Sequence, residues 1–188
     1  MKSELISDNV VALRELNLSD FFAKCKHLSS WNASASFSLN PSKQVVTCFL
    51  VRDQKVLVLQ RGRKDLQYKL WGIPGGKLMV SEQPVQGLQR EIFEETGAWV
   101  EESSFTFLDS AISKTADDGK YGLYLYCAEF PCNLEPMINL DEHLGYQWVT
   151  LEQFQSLELL HAQKEAFLLV KSRLQNQINN MDGNYATR

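Results

Sequence analysis

Residues Gly75 to Trp99 read GGKLMVSEQPVQGLQREIFEETGAW, and the rest of the chain arranges itself around them. Pro84 suits a first helical position and Gly97 a left-handed stop, so the stretch predicts a helix of about three turns between them. At about 100° per residue, Glu91, Glu94 and Glu95 fall within an arc of roughly 100°, and Val85, Leu88, Ile92 and Thr96 form the adjoining stripe. One side of this helix is acidic and its neighbour is apolar. For stability alone that is a poor placement. Glu91 and Glu95 are like charges at i,i+4, and all three carboxylates crowd the negative end of the helix dipole. A hard divalent cation would offset the repulsion. Mg²⁺ takes oxygen ligands and keeps positions for water and substrate phosphate. Arg90, one turn before Glu94, can steady the cluster from its flank.

The spacing continues upstream. Gly76 is followed after five residues by Glu82, and after seven more by Arg90-Glu91-Ile92-Phe93-Glu94-Glu95-Thr96-Gly97-Ala98. This pattern closely resembles the Nudix box, and the chain looks like a Nudix hydrolase. The one departure is Ala98, where the family usually has a larger aliphatic residue; Trp99 and Val100 are expected to supply that packing. The resemblance covers about residues 43 to 175. It implies an α/β fold, the Nudix-type α/β/α sandwich with a mixed central β-sheet. It also implies metal-assisted hydrolysis of a diphosphate linkage, in a nucleoside diphosphate derivative such as a nucleotide sugar or in a modified nucleoside triphosphate. The cofactor is Mg²⁺, with Mn²⁺ as a substitute. By the same resemblance Glu91, Glu94 and Glu95 are metal ligands together with the carbonyl of Gly75. Glu91 is ligand or base, and Glu82 is structural or an aid to the metal site. Relatives are often dimers, so a homodimer is a further expectation.

Composition sets outer limits. The 188 residues, 44% hydrophobic and 22% charged, suit one globular domain with modest extensions. A net charge of -4 argues against a broad nucleic-acid surface, which needs clustered Lys and Arg. An acidic protein acting on an anionic small-molecule nucleotide needs its cations locally. The four cysteines, Cys25, Cys48, Cys127 and Cys132, show no CxxC pair and no zinc spacing, and read as free thiols. No run approaches the ~20 apolar residues of a membrane span, and the N-terminus lacks the apolar core of a signal peptide. A cytoplasmic protein without a membrane partner is the expectation.

Three segments divide the chain: residues 1–42, a helical extension and linker; 43–175, the hydrolase domain; and 176–188, a flexible tail. Leu13 to Leu28 has partial helical periodicity, and 29–42 is small and turn-rich. Val45 to Val51 and Lys55 to Gln60 read as a hairpin around a polar turn at Arg52-Asp53-Gln54. Arg61, Arg63, Lys64 and Lys69 crowd the following loop, and Arg61 or Arg63 is the candidate phosphate contact. Ser104 to Ser113 and Tyr121 to Phe130 read as strands around a polar tip at 115–119. Tyr124 or Tyr121 is a candidate base-stacking ring. In the loop before the last strand, Glu142 is a further carboxylate, which family members often use as ligand or base. His143 is an alternative base. Thr150 with Gln153 forms a capping box, and Leu159 to Leu174 reads as an amphipathic closing helix.

Substrate choice is not legible. The box grips the diphosphate that such substrates share, whereas variable loops read the attached group. Segments associated with NADH pyrophosphatases, coenzyme A hydrolases and many ADP-ribose pyrophosphatases are absent; Ser113 and Lys114 stand where the last would have proline. The reading leans to a nucleotide sugar or modified nucleotide. The rival from another class is a non-catalytic nucleotide sensor on the same fold. An isoprenoid diphosphate isomerase would need a reactive cysteine, and Cys48 reads instead as a buried strand residue.

Overall fold

The computed structural model describes residues 10–12, 43–63, 67–114, 120–160 and 162–183. Two alternating strands start the main sheet. β2 (Lys43–Arg52) and β3 (Lys55–Arg61) turn at Asp53 and Gln54, whose φ values of 49° and 59° match the right-handed twist of the flanking strands. The hairpin pairs only at Val51–Val56 and Arg52–Lys55. Beyond that point the strands part, because each is wanted elsewhere. β2 pairs in parallel with β7 (Lys120–Glu129) and antiparallel with β5 (Gly75–Lys77). β3 pairs antiparallel with β4 (Trp71–Gly72) and β8 (His143–Val149). β6 (Thr106–Lys114) lies on β7, and β1 (Val10–Ala12) on β6. The result is an eight-stranded mixed sheet among the described residues.

Strand alternation sorts the core into two layers. Along β2, Phe49 and Val51 enter one cluster while Val46, Cys48 and Leu50 enter the other. β3 divides likewise into Val56 and Val58 against Leu57 and Leu59. The first face is covered by α2 (Leu151–Ser156) and α3 (Gln163–Gly183), where Phe154 and Phe167 pack 5.0 Å apart at their centroids. The opposite face is covered by α1 (Pro84–Thr96) through Leu88 and Ile92, both fully buried. Each such side chain contributes about 1.5–3 kcal/mol by its burial.

α1 begins and ends as the sequence predicts. Proline occupies its first position, and Gly97, at φ 69°, donates its N–H to the Phe93 carbonyl at 2.9 Å. The Thr150 capping box also forms, with Gln153 N–H reaching Thr150 Oγ1 at 3.2 Å. Three expectations need correction. The closing helix starts at Gln163 and runs to Gly183, so the expected tail is helical over 176–183. Val170, Leu174 and Ile178 continue one apolar stripe, and Ile178 is buried. Of the two residues expected to compensate for Ala98, only Val100 enters the core; Trp99 is 56% exposed, edge to face on Phe93. Arg52 belongs to β2 rather than to the turn. The helix expected at 13–28, the linker, the tip at 115–119 and Cys25 lie outside the described residues.

Candidate active site

Glu82, just before α1, and the carboxylates of α1 separate into two environments. Around Arg90 they are knotted to a guanidinium. Its Nε and Nη2 donate to the two oxygens of Glu82 at 2.8 and 2.9 Å, Nη1 donates to Glu91 at 2.8 Å and Glu94 at 3.2 Å, and Nη2 also reaches the Lys77 carbonyl at 3.1 Å. This fork-to-carboxylate geometry is the strong form of the ion pair. The Arg90 hydrogen bonds hold the Glu82 carboxyl below the usual range, and the paired carboxylates hold Arg90 firmly protonated. Glu91 behaves oppositely. Burial pushes its carboxyl up, against the pull of Arg90, and Glu95 and Glu94 add repulsion. Its carboxylate lies against Gly76, where an added Cβ would come within 2.3 Å. A side chain there would displace the Glu91 carboxylate.

Glu95 stands apart, 5% exposed. The Gly75 N–H donates to its Oε2 at 2.8 Å, and His143 Nε2 lies 3.1 Å from its Oε1. The loop between β7 and β8 then brings Glu142 alongside, so that one ligand atom each from Glu95, Glu142 and His143 lie within 4.8 Å of one another. An Asn139 turn aims this loop: its carbonyl accepts the N–H groups of Glu142 and His143 at 3.1 and 2.9 Å, and its Nδ2 donates to Glu142 Oε1 at 3.1 Å. Asp141 N–H closes the turn on Asn139 Oδ1 at 3.0 Å.

Two further ties hold the loop down. Met137 N–H donates to the Thr96 carbonyl at 2.8 Å, linking the loop to the end of α1. Arg52 reaches across from β2: Nη1 donates to the Leu134 carbonyl at 2.7 Å, Nη2 pairs with Glu135 at 3.1 Å, and the guanidinium lies 4.4 Å over the Trp148 ring. Tyr146 Oη donates to the other oxygen of Glu135 at 3.2 Å.

The expected residues are thus placed as follows. Glu95 and Glu142 meet; Glu91 and Glu94 are on the same helix but engaged with Arg90, and the Glu94 side chain is 54% exposed. Gly75 touches Glu95 through its N–H. Arg61, partly buried, ends β3 opposite His143, and the Gly62 N–H donates to the Glu142 carbonyl at 2.6 Å, so exposed Arg63 also begins beside the Glu142 loop. Tyr124 packs in the layer under α1, half-buried, with its hydroxyl pushed up by burial; Tyr121 packs on the other layer. Glu82 is held between Arg90 and the Met79 N–H, each at 2.8 Å. Asn139 and Arg52 escaped the sequence reading. Asn two residues before Asp is an Asx-turn signal that could have found the first; nothing local marks the second.

The donor set fits a hard divalent cation. Carboxylate oxygens dominate, and at Glu95 they face an imidazole rather than a guanidinium.

Comparison with known proteins agrees with this geometry. A family profile for the NUDIX domain matches residues 41–170. A nucleoside triphosphate pyrophosphatase/Nudix hydrolase fusion protein of Bifidobacterium longum is 30% identical over 121 residues, covering 63% of this chain and 24% of its own length. A CTP pyrophosphohydrolase of Escherichia coli is 41% identical over 54 residues, 29% of this chain and 40% of the relative. The chain therefore spans less than half the length of either curated relative. Among solved structures, a MutT NUDIX hydrolase from Burkholderia pseudomallei superimposes with a TM-score of 0.58 at 27% identity, covering 68% of this chain and 97% of that one. The two-layered mixed sheet is the α/β fold of these structures, and with more than half its length matched the chain belongs to the NUDIX family.

Proposed function

We propose that the protein hydrolyses a diphosphate linkage in a nucleoside triphosphate or nucleoside diphosphate derivative, using Mg²⁺ or Mn²⁺. The observation that carries this reading is the approach of Glu142, from a distant loop, to buried Glu95. Glu95 would hold the cation, with Glu142 as ligand or base and Glu91, Glu94 and the Gly75 carbonyl completing the shell. Bound there, the cation would neutralise phosphate oxygens and acidify water.

The chain's own groups do the rest. Glu142 is exposed and its Oε1 is held by Asn139, so a carboxylate is aimed yet open to water, as a general base requires. Glu91 is the second candidate, because burial raises its affinity for a proton, but Arg90 occupies its Oε1. Arg90 keeps Glu91 and Glu94 from moving apart. Arg61 or Arg63, beside the Glu142 loop, would meet the substrate phosphates, and Tyr124 would stack on the base. The family relatives act on nucleotides by name, so CTP and other triphosphates stand beside nucleotide sugars as candidates.

Cys48 and Cys127 are buried free thiols whose ionisation burial opposes, which suits a reducing cytoplasm and gives no nucleophile. No helix among the described residues is long and apolar enough to cross a membrane. The test is a product assay with Mg²⁺ and with Mn²⁺ against triphosphates, nucleotide sugars and dinucleotides, in ¹⁸O water to identify the phosphorus attacked. Glu95→Gln is expected to lose at least ~10²-fold in rate with the fold intact. Nucleotide binding by the wild type without any hydrolysis would replace this reading by the sensor.

A further inference from the structure

Glu95 is the most buried carboxylate of the site, and both its oxygens are engaged from within the chain. Gly75 N–H takes Oε2. Opposite Oε1 stands Nε2 of His143, on a ring only 2% exposed, while Nδ1 of the same ring is buried with no hydrogen-bond partner among the described residues. That asymmetry fixes the proton. A neutral imidazole carries one N–H. On Nδ1 it would be a buried donor with no acceptor, and the Nε2 lone pair would face a carboxylate oxygen at 3.1 Å. Orphaned buried donors are rarer and costlier than an unused lone pair. With the proton on Nε2 both faults vanish.

We propose that His143 is a positioning residue: it donates Nε2–H to Glu95 Oε1 and, with the Gly75 N–H on Oε2, locks that carboxylate for cation binding. The inference rests on the hydrolase reading above and deepens it. Donors on both oxygens prevent rotation of the carboxylate, while each oxygen retains a lone pair for a ligand. The same geometry removes His143 from the role of base, since Nε2 is committed and Nδ1 is sealed from water. The ring is itself fixed, because His143 opens β8, pairs with Arg61 and gives its N–H to the Asn139 carbonyl. One turn therefore delivers both the exposed carboxylate of Glu142 and the group that orients Glu95.

Two measurements test this. Ring ¹⁵N–¹H correlation spectra of the wild type at pH 8 are expected to show the Nε2–H tautomer; an Nδ1–H tautomer overturns the proposal. Mn²⁺ binding by electron paramagnetic resonance is then compared for the wild type, His143→Leu and His143→Gln. Leucine removes the donor and keeps the apolar bulk, whereas glutamine keeps an amide N–H near the place of Nε2. Affinity is expected to fall about 10–100-fold in His143→Leu and to return most of the way in His143→Gln. Equal losses in both variants would assign the effect to packing, and unchanged affinity in His143→Leu would remove it altogether; either overturns the proposal alone. No Mn²⁺ uptake by the wild type overturns the hydrolase reading, and this inference with it. If neither variant folds, the wild-type tautomer decides.

Discussion

Two groups of acids meet at α1, one around Arg90 and one around Glu95, and have different fates. Around Arg90, three carboxylates share one guanidinium that uses its donors fully. Around Glu95, two carboxylates meet a histidine ring and a backbone N–H. The first group already carries a countercharge from within the chain, Arg90. The second would gain most from a cation out of solution, because a buried and an exposed carboxylate meet there beside an imidazole and a backbone N–H rather than a guanidinium. On α1 the helix dipole opposes Glu91, Glu94 and Glu95 alike, so the difference among those three lies in their partners.

Substitutions can break this contrast. Glu142→Gln should have a large effect, a loss on the order of 10²-fold in kcat with little change in stability, since the side chain is exposed. Steady-state kinetics with a melting curve would check it, and a variant as fast as the wild type would move the base to Glu91. Arg90→Leu should act on the other group, costing about 2–3 kcal/mol by denaturant unfolding because Glu82 and Glu91 lose their countercharge in a partly buried setting. Arg52→Ala should cost about 1–2 kcal/mol through its lost ring contact and hydrogen bonds, and should speed hydrogen exchange in 131–142 more than in α1.

The smallest effect has a distinctive sign. Glu91 has a folded-state carboxyl raised by burial, so the native state binds its proton more tightly than the unfolded chain does. Stability therefore falls as pH rises through the window above the unfolded value of about 4.3. Glu82, held low by Arg90, contributes stability that is present above that value and is lost as pH falls through its folded pKa. In chelator, Glu91→Gln should be more stable than the wild type by roughly a few tenths of a kcal/mol at pH 7, and the gain should vanish near pH 4. A gain that grows on acidification would contradict the burial argument.

Local rules carried the sequence reading as far as local physics reaches. Pro84 and Gly97 bounded α1, and the β-rich runs at 45–51 and 55–60 announced two strands, because both signals are properties of neighbouring residues. The spacing of glutamates pointed to one acidic face, but spacing alone did not divide Glu95 from Glu94. Burial did that, and burial depends on a loop some forty residues away. For the same reason His143 could be named only as an alternative base, and Arg52 looked like a turn residue. Its partners lie 82 and 83 residues further along the chain. The end of α3 was misjudged because polar residues around Ile178 and Met181 hid the two apolar positions that continue its packing on the core.

Calorimetric titration of Mg²⁺ into the metal-free protein, repeated with bound nucleotide, tests the central claim most directly. Uptake by the wild type is expected, and its loss in Glu95→Gln/Glu142→Gln with an unchanged circular dichroism spectrum. A wild type that takes up no cation under either condition, or a double variant that binds as tightly as the wild type, would contradict it.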